Sequence, residues 1–229
     1  MTHPDTETLG EFIISARSLA EYRAIFGLTA SELRGRILDC PGGAAGFTAE
    51  ASDLGAQVIA VDPIYTRSVE DLRATALREC DRATRWAARH SHRRRWDWYG
   101  SPADHLRMRT ASARRFGADL TEHPERYIGA RLPSLPFPDK SFDLVLSSHL
   151  LFSYADRLDA DFHLAALVEL ARVAVGETRI YPLVDHTGAN LDPLVDKLRK
   201  ELHDKGLQTE LRDVDFEFHH GASTILVLR

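Results

Sequence analysis

Two aspartates and the small residues between them carry the clearest chemistry in the chain. Asp39 ends the apolar run Ile37-Leu38, and C-P-G-G-A-A-G follows at 40–46 before Phe47. Gly42, Gly43 and Gly46 let a ligand approach the backbone closely, and a helix starting near Phe47 would offer it free N–H groups. Val58-Ile59-Ala60-Val61 is a second apolar run, closed by Asp62. That acid falls roughly 20 residues after the turn, where a carboxylate can accept both hydroxyls of a ribose. The pattern describes a nucleoside half-site.

A second group sits further along. Phe142-Asp-Leu-Val-Leu146 delivers Ser147, Ser148 and His149 at its end, the edge of an open parallel sheet where ligands bind. His149 is the candidate general base, since an imidazole titrates near pH ~6.5; its alternative is a hydrogen-bonded structural histidine. Tyr154 and Tyr181 are candidate pocket walls, and either could merely pack. The run H-S-H-R-R-R-W-D-W-Y-G at 90–100 mixes charge with aromatic faces. It could hold a phosphate- or carboxylate-bearing small substrate, bind nucleic acid by charge and base stacking, or be a solvated helix end whose tryptophans dock on the core with arginine stacked on them. Arg94 and Trp96 are its candidate substrate contacts. His163 lies inside an apolar helical pattern and reads as a core histidine, whereas His219 and His220 fall at a hairpin tip with no expected chemistry. His90 and His92 lack a third ligand, so no metal site is expected.

The elements that must position these groups follow from periodicity. Phe12, Ile13, Leu19, Tyr22, Ile25 and Phe26 have near-helical spacing from about Leu9 to Ala24, and Thr29–Leu33 looks like a capped turn. Such a helix either closes over a pocket or, more commonly, only covers the sheet. After Asp62 the next convincing strand is Tyr127–Ala130, too far for one crossover helix. Residues 66–120 are therefore read as a helical insertion, with helices over Ser68–Arg89 and Pro102–Phe116. A helix over Asp159–Ala174, a strand at Arg179–Leu183 and a helix over Leu191–His203 come next. Thr209–Val214, continued by Phe216 and Phe218, and Ser223–Leu228 then form a terminal antiparallel hairpin.

L-D-C-P-G-G-A-A-G with V-I-A-V-D resembles the first two motifs of class I S-adenosylmethionine-dependent methyltransferases, and L-P-F-P-D-K-S-F-D-L-V-L-S-S-H at 135–149 resembles the segment leading into their fourth strand. The stretch from Ser148 to Ala174 resembles a bacterial methyltransferase-like branch. The resemblance implies a Rossmann-like α/β fold with a mostly parallel seven-stranded sheet, helices on both faces and a C-terminal antiparallel hairpin. It implies S-adenosyl-L-methionine as cofactor. Asp39, Cys40 and the Gly42–Gly46 turn with Phe47 would face its methionine part, Asp62 and Pro63 its ribose, Arg131 and Leu132 its adenine, and Ser147 would border the site. Pro41 and Ala45 stand where the family usually has glycine, and Arg131 stands where an acid usually meets the adenine amino group.

Composition sets the outer bounds. The 229 residues carry 44% hydrophobic and 28% charged side chains and a net charge of -5, ordinary for one globular α/β domain over 1–229 and contrary to a generally basic nucleic-acid binder. Two cysteines cannot build a disulfide framework, and the opening M-T-H-P-D-T-E-T has neither a charged n-region nor an apolar h-region. A cytoplasmic chain without a membrane partner is expected. Hydrolase, redox and P-loop signatures are missing. The expected activity is methyl transfer to a small-molecule acceptor. Its rivals are a non-catalytic nucleoside-binding protein, a dinucleotide dehydrogenase, and a nucleic-acid methyltransferase using the basic insertion.

Overall fold

A computed structural model describes residues 12–229. Seven strands form one sheet: β1 (Arg36–Asp39), β2 (Gln57–Val61), β3 (Tyr127–Ile128), β4 (Phe142–Ser148), β5 (Ala174–Tyr181), β6 (Thr209–Asp213) and β7 (Thr224–Leu228). Their order is β3-β2-β1-β4-β5-β7-β6. The first five run parallel, and β7 is antiparallel to both β5 and β6.

Alternation in these strands splits the core in two, as the pleat requires. Ile37, Leu144, Leu146, Ile225 and Val227 face the cluster under α1 (Leu19–Phe26) and α2 (Phe47–Asp53). Leu38, Val145, Leu226 and Leu228 face α5 (Ala160–Val173) and α6 (Asp192–Asp204). Helix ends are set by side chains: Ser18 and Glu21 form a capping box on α1, and Asp159 caps α5. Two 21-residue helices, α3 (Val69–Arg89) and α4 (Pro102–Glu122), occupy the connection from β2 to β3 and pack against each other.

Several expectations change. The first described helix begins at Leu19, capped by Ser18, and Phe12–Arg17 is not helical; the part of the expected helix before residue 12 lies outside the described residues. Strand β5 begins at Ala174, five residues before its expected start, because Glu177 and Arg179 enter the sheet as partners in a surface ion-pair network with Glu32, Arg212 and Arg229. Phe216 and Phe218 do not continue β6, which ends at Asp213. They turn inward to an aromatic cluster with Trp96, Trp98 and Tyr99. Among the described residues, no helix is long and apolar enough to cross a membrane, and no group of three His, Cys, Asp or Glu could hold a metal ion.

Candidate active site

The carboxyl ends of β1, β2, β3 and β4 open on a cavity of about 1080 Å³. Its sheet-side wall is formed by Cys40–Gly43, Val61–Ile64 and Ala130–Pro133, and its opposite wall by Phe12–Arg17 with residues of α3 and α4. The cavity volume lies at the upper end of the roughly 300–1,000 Å³ usual for a ligand pocket.

Asp62 anchors one end. Its Oδ2 accepts from the Gly43 N–H and its Oδ1 from the Ile64 N–H, both at 3.0 Å, leaving further lone pairs for a ligand hydroxyl. Burial raises its pKa above the usual carboxylate range, opposed by those two backbone donors. Gly43 takes φ +54, and a Cβ there would meet the Ser15 carbonyl oxygen at 2.8 Å. The Ala44 N–H donates to that same carbonyl at 2.9 Å. The small residues therefore serve first to seat the 12–17 segment across the turn. Asp39 is fully buried behind Tyr22, and Tyr22 is the residue that reaches the cavity. Burial holds the Asp39 carboxyl well above its ordinary pKa.

His149 stands directly after β4. Its φ of +55 is the left-handed region that few side chains adopt, held by its N–H donating to the Tyr181 carbonyl at 2.7 Å. Nδ1 lies 2.7 Å from Ser148 Oγ, and Nε2 is buried without a hydrogen-bond partner. Burial, then the charges of Arg17, His219, Arg109 and Arg94, holds the imidazole well below its usual pKa. A neutral ring whose Nδ1–H points at Ser148 leaves the Nε2 lone pair free to accept a hydrogen bond.

Cations gather around a buried acid. Glu21, fully buried, receives the Tyr99 phenol at 2.6 Å, Arg109 at 2.8 Å and Arg17 at 3.3 Å. Arg109 also donates to His105 Nε2 at 3.1 Å, which leaves the His105 Nδ1–H to reach Thr84 Oγ1 at 2.9 Å. Burial and the Arg109 charge push that histidine down to about 2. Arg94 and His219 pair as an isolated antiparallel bridge and both line the cavity.

Comparison with known proteins bears on the fold. Residues 99–179 match a family described as a methyltransferase domain. The PH0226 protein of Pyrococcus horikoshii superposes with a TM-score of 0.50 at 16% identity, over 92% of this chain and 89% of that one. The sheet order, with its reversed last strand, agrees. This is the class I methyltransferase fold. The uncharacterized protein MJ0045 of Methanocaldococcus jannaschii is 25% identical over 226 residues, 96% of this chain and 97% of that protein. The Burkholderia thailandensis 1,6-didemethyltoxoflavin-N1-methyltransferase, solved with 1,6-didemethyltoxoflavin and S-adenosylhomocysteine, has a TM-score of 0.45 at 14% identity, over 92% of this chain and 75% of that one.

On this methyltransferase fold the strand order reverses between β1 and β4, and the cavity opens at that switch point, where ligands bind in open α/β sheets. Of the residues singled out from sequence, Cys40, Gly42, Gly43, Asp62, Pro63, Arg94, Arg131, Leu132, His149 and Tyr154 line the cavity. Six others do not. Asp39 is screened by Tyr22, and Gly46 lies under α4, its N–H donating to Ser112 Oγ at 2.8 Å. Phe47 stacks on the inner face of Tyr22, and Ser147 is buried in the sheet. Tyr181 donates to the Ala222 carbonyl, and Trp96 packs edge-on against Phe218. His219, expected at an inert hairpin tip, faces the cavity, as do Arg17 and Trp86, which the sequence did not single out.

Proposed function

We propose that this chain is an S-adenosylmethionine-dependent methyltransferase acting on a small-molecule acceptor, with 1–229 working as one domain. The observation that carries the reading is one cavity at the carboxyl edge of the sheet, lined by Asp62, the glycine turn and His149 together. The residues fit an adenosyl group: Asp62 keeps lone pairs for ribose hydroxyls, Ile64 and Leu132 offer apolar faces beside it, and Tyr22 presents its ring where Asp39 was expected. Arg131 stands at the adenine side as a donor, so an acid does not meet the adenine amino group here.

When bound, the cofactor would supply a methyl group on a sulfonium, which an acceptor lone pair held in line with it could take. The protein's part is to hold the acceptor at near-attack distance and to keep water out. For a hydroxyl or N–H acceptor, neutral His149 accepts a hydrogen bond at Nε2 and orients the attacking lone pair; with its pKa held well below the usual value it does not keep the proton. An acceptor already anionic needs no base.

The tryptophans of the 90–100 run pack edge-on against Phe216 and Phe218 of the β6–β7 loop, which commits part of their surface to the core and favours a small acceptor over nucleic acid. Calorimetry with S-adenosylmethionine and S-adenosylhomocysteine tests the cofactor. Binding is expected, and the absence of heat with both at about 1 mM ends the methyltransferase reading.

A further inference from the structure

We propose that Arg94, Trp86 and His219 form an anion-binding subsite that receives a carboxylate or phosphate group of the methyl acceptor. The proposal rests on the methyltransferase reading above and names its substrate class.

Three separate segments bring these side chains to one end of the cavity: α3, the link between α3 and α4, and the loop between β6 and β7. Arg94 is 5% exposed. Its guanidinium carbon sits 4.9 Å over the Trp86 ring and 5.6 Å from that of Phe218. Among the described residues its side-chain hydrogen bonds are long ones, from Nη1 to the Arg93 carbonyl at 3.3 Å and from Nη2 to the His186 carbonyl at 3.4 Å. Arg94 Nε, Trp86 Nε1 and His219 Nδ1 are all buried without partners among the described residues.

No carboxylate among the described residues pairs with Arg94. Nearby, Glu21 is already bonded to Arg17 and Arg109, and Glu79 to Arg82. Burying a cation unpaired is unfavourable, and stacking on aromatic rings offsets only part of that cost. A planar guanidinium beside an indole N–H is complementary to an oxyanion, which would satisfy the orphaned Arg94 and Trp86 donors together. Arg94 comes from a different segment than Asp62, which directly follows β2. His149 lies within electrostatic reach of both Arg94 and His219, so an acceptor tethered there by its anionic group would meet that imidazole.

The test is calorimetry of the full chain at fixed ionic strength with two probes, inorganic phosphate and benzoate, each with and without saturating S-adenosylhomocysteine. One probe should bind in both conditions, and which one does separates phosphate from carboxylate acceptors. Arg94→Gln should weaken that probe at least about tenfold while S-adenosylhomocysteine binds as before. If Arg94→Gln does not fold, Arg94→Lys, which keeps the charge without the planar stack, should weaken the probe less than tenfold but measurably. Failure of both probes on the native chain overturns the subsite, as does equal binding by the variants. Loss of probe binding once S-adenosylhomocysteine is present also overturns it, because the cations would then serve the cofactor's own carboxylate. Failure of S-adenosylhomocysteine itself is a separate result, which strikes the methyltransferase reading.

Discussion

The phenol of Tyr22 shares its proton between both carboxylate oxygens of Asp39, at 2.9 and 3.0 Å, while its ring stacks on Phe47 at 4.1 Å between centroids. The acid at the end of β1 thus acts on the cavity only through a tyrosine that forms part of its wall. Tyr22→Phe leaves that buried carboxylate without a side-chain partner among the described residues. Urea unfolding at neutral pH should show a loss of about 1–3 kcal/mol; an unchanged midpoint would mean that Asp39 is stabilised by something other than this bond.

Asp39 also sets a pH signature. Burial favours its neutral form, so the folded chain holds that proton to higher pH than the unfolded chain does. Its contribution to stability is complete below the ordinary carboxylate value of about 4 and is lost as pH rises through the raised native value. Asp39→Asn stays neutral throughout, so its stability relative to the native chain should improve steadily as pH climbs above about 4. A constant difference across the series would contradict the assignment.

Histidines give the opposite slope at acid pH. His105, His149 and His219 are held neutral by burial and neighbouring cations. In the unfolded chain they bind protons as pH falls through ~6.5, while in the folded chain they do not. Stability is present above ~6.5 and should fall below it by up to about 1.4 kcal/mol per pH unit for each group. Replacing His105 by Phe should flatten that fall by one group's share, which unfolding curves between pH 7 and 5 would reveal.

Asp62→Ala removes an acceptor that serves both the Gly43 N–H and the proposed ribose. S-adenosylhomocysteine affinity should fall by about 10–150-fold, the equivalent of one charge-assisted hydrogen bond of roughly 1.5–3 kcal/mol. Native-like affinity would place the ribose elsewhere.

Gly43→Ala meets both a positive φ and the Ser15 carbonyl at 2.8 Å. A loss of at least about 1–2 kcal/mol is expected from the backbone term alone, together with release of the 12–17 segment, visible as faster amide exchange at Ala44. Unchanged exchange there would show that the segment does not depend on the turn.

The sheet and the acid end were legible in the sequence because they are local. Ile37, Leu38 and Val58–Val61 announce strands by apolar runs, and the turn and Asp62 follow at fixed spacing. Of the cation cluster only Arg94 was legible, as a candidate substrate contact; its partners were not. Arg94 meets His219 only because the β6–β7 loop folds back on the insertion, and nothing in either segment's own pattern encodes that approach. Arg93 and Arg95 share the composition of Arg94, yet bridge geometry sends only the middle one inward, and Arg95 pairs with Glu217 outside. The Phe12–Arg17 wall was misread because its apolar residues imitate helical spacing while Ser15 and Ala16 give their carbonyls to Ala44 and Arg109.

The bridge between Arg94 and His219 works as a clasp between two excursions from the sheet, one inserted after β2 and the other near the chain's end. Neither excursion supplies Asp62 or the glycine turn. Acceptor preference can therefore drift by exchange of residues 90–99 and 214–222 as a matched pair, while the adenosyl-gripping half stays untouched; altering one stretch alone would unfasten the clasp rather than retune it.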